Sequence, residues 1–546
     1  MKKRFVSLLL ALCLILTLAA CGGSKGKPTG DSSEPPANES PSPVQEVTPP
    51  PVDTARRTTA DTDERYPKVV IGLNSDPQNL SPFDPNAASK PYIFFEFYEC
   101  LFDLENNEYI PVMAESFEHI DDLHTQVKIY DYIYDHAGNH ITADDVVFSY
   151  QTLLDSGFAI KYSAFADIKK VDDYTVEFTW NYPLDSVGVL EFPWCRTFIF
   201  SQKAYEEGNF ATNPVGTGPY KVTHFTSGSK VVLEAVDNYW QKDESKISDR
   251  HKAKVQTIEY TINTEAAQHV IALKSGAIDF SQVVPDENLK DFEGNEDFSI
   301  YVTPASRTFF MTPNVEGAFT SDINFRKAVF YAIDNEALAT ATGGTVAAKA
   351  LGSGFFSDYQ KSWEDEKTYI NTYDPELAKE LLKQTSYNGE TIMILTSNAE
   401  LHKNIATVVQ NFLTNVGINS DLTLVEPAQL GNYTTQEGWD LFIHDLGGGS
   451  QLGAWNRVFN RDEFANGKAF GFIYDDTLQN LYKDALKVAN YGPESITELH
   501  NYVLENAYAT TLVCGKLNMV YNSDIANIFL REGAYLLPGS CDYYLD

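Results

Sequence analysis

Positive charge is scarce in this chain. Of its 546 residues, 41 are Lys or Arg against 76 Asp or Glu, and the formal net charge is −35. Binding a nucleic-acid backbone takes clustered cations on the phosphates, so nucleic acid is excluded as a partner. Cysteine is also scarce: Cys13, Cys21, Cys100, Cys195, Cys514 and Cys541 follow neither a zinc spacing nor a CxxC redox pair. Cys514 and Cys541 either pair in an oxidising exterior or stay separate as buried thiols. Catalytic signatures are missing too, with no G-x-S-x-G elbow and no H-E-x-x-H pair. The triple glycine Gly447–Gly449 has no Lys after it until Lys468, which removes a Walker phosphate loop, and no dinucleotide fingerprint stands out. His136 and His140 bracket a Gly-Asn turn and read as an exposed hairpin. The pair His444-Asp445 supplies two donors where a bound cation needs three or four. The reading is a non-enzyme without cofactor or metal.

What the chain does have begins at its N-terminus. Lys2, Lys3 and Arg4 precede the apolar run FVSLLLALCLILTLAA, the pattern of an export signal over residues 1–20. At roughly 16 apolar residues the run falls short of the ~20 that span a bilayer. The junction Leu18-Ala19-Ala20-Cys21-Gly22 resembles the bacterial lipobox, which implies lipid on Cys21. Acyl chains gain about 0.8 kcal/mol per buried CH₂, so several together attach durably. Residues 21–65 are Pro, Ser, Thr, Gly and charge, with too little to bury, and are expected to be a disordered tether.

From about Tyr66 the composition is that of a globular body, 43% hydrophobic and 13% aromatic over the chain. VVIGL (69–73) reads as a strand. ITADDVVFSYQTLL reads as a helix capped by Thr142 and Asp145, with Val146, Val147, Tyr150 and Leu154 at helical spacing. INFRKAVFYAI (323–333) is a second amphipathic helix, and a third starts at Asp374-Pro375. Between 391 and 444, TIMILTS, a helix closed by Gly417, SDLTLVE and WDLFIH give the strand-helix-strand rhythm of an open α/β sheet. Ligands of such sheets bind beyond the carboxyl ends of the strands, and the triple glycine falls just past His444.

Five segments in order, LNSDPQNLSPFDP, FEFYECLFDLENNEYIPVMAESFE, HAGNHITADDVVFSYQTL, NPVGTGPYKVTHFTSGSKVVLEAVDNYW and FRKAVFYAIDNEAL, together resemble the extracellular solute-binding proteins of ABC importers, family five, the dipeptide and oligopeptide-binding class. Ser81 stands where that family usually has Asp. The resemblance implies a two-lobed α/β fold of the periplasmic-binding-protein type with an extra subdomain. Lobe I would use 66–305 and return at 510–546, and lobe II would use 306–509. It further implies a lipid-anchored monomer on the extracytoplasmic face of the cell membrane, which captures a small peptide or other solute between the lobes and hands it to an ABC permease. By the same analogy the ligand walls are Ala87, Ala88, Ser89 and Tyr92 on one side and His444, Asp445, Leu446, Gly447, Gly448 and Gly449 on the other. Gly449 occupies the position of the Asp that pairs a peptide's α-amino group. A buried unpaired ammonium costs several kcal/mol, so a chelated metal or an oligosaccharide stays open as the ligand. A tethered surface hydrolase is the alternative from another class.

Overall fold

A computed structural model describes residues 50–83, 91–105, 108–156, 165–181, 194–344, 346, 373–426, 430–434, 438–447, 458–459, 470–485, 493–531 and 535–545. The strands that position the site are, in chain order, β1 (Tyr66–Leu73), β2 (Ala114–Asp121), β3 (His124–Ile129), β4 (Phe165–Asp172), β5 (Thr175–Trp180), β6 (Tyr220–Thr226), β7 (Lys230–Ala235), β8 (Val255–Ile262), β9 (Phe280–Ser281), β10 (Phe298–Pro313), β11 (Thr391–Ser397), β12 (Asn419–Val425), β13 (Leu441–Gly447) and β14 (Thr510–Asn522). Ten of them make one sheet in the order β12-β11-β13-β10-β14-β9-β1-β8-β7-β6, and β2-β3-β5-β4 make a second. The large sheet is parallel at two places, β11 with β12 and β13, and β1 with β8 and β9.

Between those places run the two longest strands, β10 and β14, paired antiparallel. Their register is regular from Phe298↔Asn522 to Pro304↔Lys516, then jumps to Thr308↔Cys514, so residues 305–307 lie opposite Gly515 alone. A glycine in a strand interior suits such a bulge. The packing changes partner there. Met519 and Tyr521 of β14 join a first core with Val69, Tyr98, Trp194 and Tyr260, whereas Phe309 and Met311 of β10 and Leu512 and Val513 of β14 join a second core with Phe325, Ile394 and Val409.

The helices follow from local chemistry. In α1 (Ala143–Asp155) the Asp145 carboxylate accepts the Thr142 backbone N–H at 2.8 Å. Val146, Tyr150 and Leu153 are its buried face, with Val147 and Leu154 only half-buried, so the apolar stripe sits one position off the expected Leu154. α2 (Ile323–Tyr331) is capped by Asp322, and α3 (Pro375–Leu382) by Asp374, which accepts the Leu377 N–H at 2.9 Å. α4 (Glu400–Val416) buries Ile405, Ala406, Val409, Leu413 and Val416 and stops at Gly417, whose φ of 94° suits a residue without a Cβ.

Three of the quoted sequence segments interlock. Gly218 donates its N–H to the Phe97 carbonyl at 3.0 Å, and His136 donates its own to the Gly216 carbonyl at 2.9 Å. A Cβ on Gly216 would collide with the Phe97 carbonyl, and one on Gly218 would meet the Glu96 carbonyl at 2.8 Å. His136 is half-buried, with Nε2 2.9 Å from the Gly218 carbonyl, so the His136–His140 hairpin is docked rather than exposed.

The expected disorder through residue 65 is not met at its far end. Thr59 donates its N–H to the Tyr543 carbonyl at 2.9 Å, Leu545 donates to the Arg57 carbonyl at 3.0 Å, and the Arg56 guanidinium lies 3.8 Å over the Tyr544 ring. Residues 53–65 therefore gain order from the chain's C-terminus, a partner some 480 positions away that local composition does not register. No disulfide joins Cys514 and Cys541: the first sulfur is 3.4 Å from Thr308 Oγ1, the second 3.4 Å from the Leu537 carbonyl.

Candidate ligand-binding site

The carboxyl ends of β11 and β13 and the first turn of α4 converge, because only Asn398 and Ala399 separate β11 from α4 and β13 runs parallel beside β11. Alternation along β13 sends neighbouring side chains to opposite faces of the sheet. Asp445 faces α4, where its Oδ1 lies 2.9 Å from His402 Nε2. Both side chains keep 14% exposure, and the His402 ring meets Phe309 edge-on at 5.0 Å. His444 takes the other face. It is 6% exposed, its Nε2 is 3.0 Å from Thr312 Oγ1, and its ring stacks on Phe442 at 4.7 Å. The His444 side chain is thus a hydrogen-bonded core group, and the adjacent carboxylate is the one that reaches the strand ends with a polar partner. Leu446 and Gly447 continue β13 opposite Thr308 and Arg307 of β10. Gly448 and Gly449 lie outside the described residues.

The other parallel group has a comparable end. Tyr92 opens the 3-10 turn Pro91–Glu96, and its ring stacks on Tyr535 at 5.2 Å and 8°. Burial pushes its phenol up to about 12, against a hydrogen bond with Ser75, two residues past the end of β1. Ala87, Ala88 and Ser89 lie outside the described residues. His402 and Tyr535 were not singled out in the sequence. Nothing local marks Tyr535, whereas His402 carried a usable signal as a polar ring in the first turn of a helix that follows a parallel strand.

A buried ionic assembly holds the tyrosine pair in place. Asp103 has no exposed surface and accepts from Arg250 and, at 3.1 Å, from Arg531. Burial alone would raise the Asp103 carboxyl, but the two guanidiniums override it and hold it below the usual range. The Arg531 guanidinium also covers the Phe95 ring at 3.6 Å. Phe95 sits in the Tyr92 turn, and Arg531 sits in a short hairpin with Tyr535, so one contact sets both tyrosines. Among the described residues no group of three or more His, Cys, Asp or Glu is placed to hold a metal ion, and no helix is long and apolar enough to cross a membrane. The arrangement suits reversible capture, with aromatic faces and one carboxylate offered at strand ends.

Comparison with known proteins gives the same answer. The glutathione-binding protein GsiB of Escherichia coli K12 is 27% identical over 376 residues, 66% of this chain and 70% of GsiB. The oligopeptide-binding protein AppA from Bacillus subtilis, solved with a nonapeptide, superposes with a TM-score of 0.68 at 19% identity, covering 88% of this chain and all of AppA. NikA from Staphylococcus aureus, solved with Ni(L-His)2, gives 0.68 at 19%, covering 87% of this chain and all of NikA. These neighbours share the two-lobed α/β fold. Residues 108–457, more than half of the chain, match bacterial extracellular solute-binding proteins, family 5. The chain therefore belongs to that family, the extracytoplasmic binding components of ABC importers that take peptides or related solutes, and it is not an enzyme.

Proposed function

We propose that the protein is a monomeric, lipid-anchored receptor that captures a small peptide or peptide-like solute between two lobes and delivers it to its permease. The observation that carries this reading is the pair of polar and aromatic clusters at carboxyl strand ends, His402–Asp445 in one half and Tyr92–Tyr535 in the other, on either side of the β10–β14 bulge. The lobes would be 66–305 with 510–546, and 306–509, with solute binding favouring the closed arrangement in which both touch it. Ala87, Ala88, Ser89 and the Gly447–Gly449 run complete the walls in this reading. Gly449, at the position where peptide binders of the family place an amino-pairing Asp, makes a charged α-amino group dispensable.

Thermal unfolding in the presence of glutathione, tripeptides and their N-acetylated forms tests the ligand. A ligand at 100 times its Kd stabilises by about 2.7 kcal/mol, a clear rise in Tm, and N-acetylation should leave that rise intact. Stabilisation by a nickel–histidine complex or an oligosaccharide but by no peptide would overturn the peptide reading, and loss of the effect on acetylation would overturn the role given to Gly449. The anchor rests on the lipobox-like junction at Cys21. Protein from membranes should start at a lipid-modified Cys21, and Cys21→Ala should move it to the soluble fraction; an unmodified thiol there would refute the anchor.

A further inference from the structure

A cavity of about 960 Å³ opens between the 132–138 loop and the 235–246 segment, beside β6 and β7. In the sheet order β7 stands six places from β13, so this cavity belongs to the opposite end of the sheet from Asp445. Its wall is aromatic and its polar handles are already engaged. The Tyr239 hydroxyl and the Trp240 indole N–H both donate to the buried Glu99 carboxylate, the latter at 2.7 Å, and the Tyr132 hydroxyl donates to Gln241 Oε1 at 3.4 Å. With those groups tied inward, ring faces are what the wall offers: Tyr132 and Trp240 lie 6.0 Å apart and Tyr239 and Trp240 5.5 Å apart.

One donor is left over. Gln241 is 4% exposed, lines this cavity and a neighbouring one of about 1170 Å³, and its Nε2 has no hydrogen-bond partner. The amide orientation is settled by the Asp243 backbone N–H, which needs Oε1 as its acceptor at 3.1 Å. A buried donor without a partner is destabilising.

The wall is balanced in charge where the chain is acidic: Asp135, Asp237 and Asp243 stand with Lys221, Lys242 and Lys246, and Lys246 lies 3.9 Å from Asp243. Its carboxylates are committed: Asp135 to the backbone N–H groups of Ala137 and Asn139, Asp237 to Arg65 at 2.8 Å, and Asp243 to Ser245. Lys221 and Lys242 make no ion pair among the described residues, and Lys246 Nζ sits 4.7 Å over the Tyr130 ring. A protein of net charge −35 thus presents two cations without an ion pair among the described residues, Lys221 and Lys242, beside flat rings at this wall.

We propose that this cavity is a second binding site, separate from the solute cleft, for an acidic sugar. The C–H face of a pyranose stacks on Tyr132 and Tyr239, a ring hydroxyl oxygen accepts from Gln241 Nε2, and the carboxylate or phosphate meets Lys221 and Lys242. Such a sugar arrives either free or as a unit of a surface polymer. Calorimetric titration of the whole soluble protein with galacturonate, tetragalacturonate, maltotetraose and polyglutamate tests the assignment. Saturable binding of a galacturonate form should exceed that of maltotetraose and polyglutamate at least fivefold. The double variant Lys221→Glu/Lys242→Glu should weaken it at least tenfold, with Tm unchanged, and Asp445→Ala should leave it intact. A tetramer tenfold tighter than the monomer points to a polymer, and equal affinities point to a free sugar acid. The proposal fails if neutral glycan or polyglutamate binds as well, if the lysine variant binds normally, if Asp445→Ala abolishes binding, or if no form binds below 10 mM, about the weakest Kd that such a contact set supports.

Discussion

Glu96 and Glu99 face the interior from a single turn of chain, and burial pushes both carboxyls up to about 7 from an ordinary 4.5, against the Gly539 N–H for the first and Tyr239 and Trp240 for the second. An acid with a raised folded value takes up a proton on folding, so its stabilisation is full below about pH 4.5 and is lost as pH rises through about 7. His251 works in the opposite sense. Its ring is pushed down to about 4 by burial and by Arg250, so its contribution is full above about 6.5 and is lost as pH falls through 4. Between pH 6 and 8 the glutamates dominate. Stability should therefore decline from pH 6 to pH 8, and Glu96→Gln, which keeps an acceptor for Gly539, should decline by about 1 kcal/mol less over that interval. Urea unfolding at the two pH values measures this, and parallel losses in both proteins would remove Glu96 from the account. Of the candidate site, Asp445 was singled out because it follows the strand that ends at His444, and Tyr92 only because the family resemblance puts a ligand wall after β1. Tyr535 was not legible, since it matters through a partner far off in the chain, and His402 carried only its place in the first turn of a helix that follows a parallel strand. His444 was misplaced by a single step of the pleat, which turns a wall residue into a core residue.

At the scale of elements, the 391–444 block was readable because it is helical in period over α4 and strand-like around it, and because Gly417 marks the stop; its last strand runs on to Gly447. The bulge at 305–307 was not, as Gly515 shows its purpose only once β10 lies beside it. The N-P-V-G-T-G-P-Y segment has a physical reason that its spelling does not disclose: Gly216 and Gly218 let two backbones touch at the Tyr92 turn. Gly228 offers a control, with a φ of 71° and open space around it. Gly228→Ala should cost about 1 kcal/mol through backbone strain alone. Gly216→Ala should cost at least twice that, through a forced shift of the Phe97 carbonyl. Equal losses on chemical denaturation would show that close approach is not what requires Gly216.

Over the whole molecule, two cores share two strands, and the ionic assembly of Asp103, Arg250 and Arg531 belongs entirely to the first of them. The seam between Thr59, Tyr543 and Leu545 belongs to the same half, fastening residues 57–59 to 543–545. That seam fixes a load path. A tug on the chain ahead of Asp53 would meet Tyr544 at the Asp53 N–H and the Arg56 guanidinium before it reached β1. Under the N-terminal anchor proposed above, the load enters the half built on β1, and the half that bears Asp445 stands outside its path.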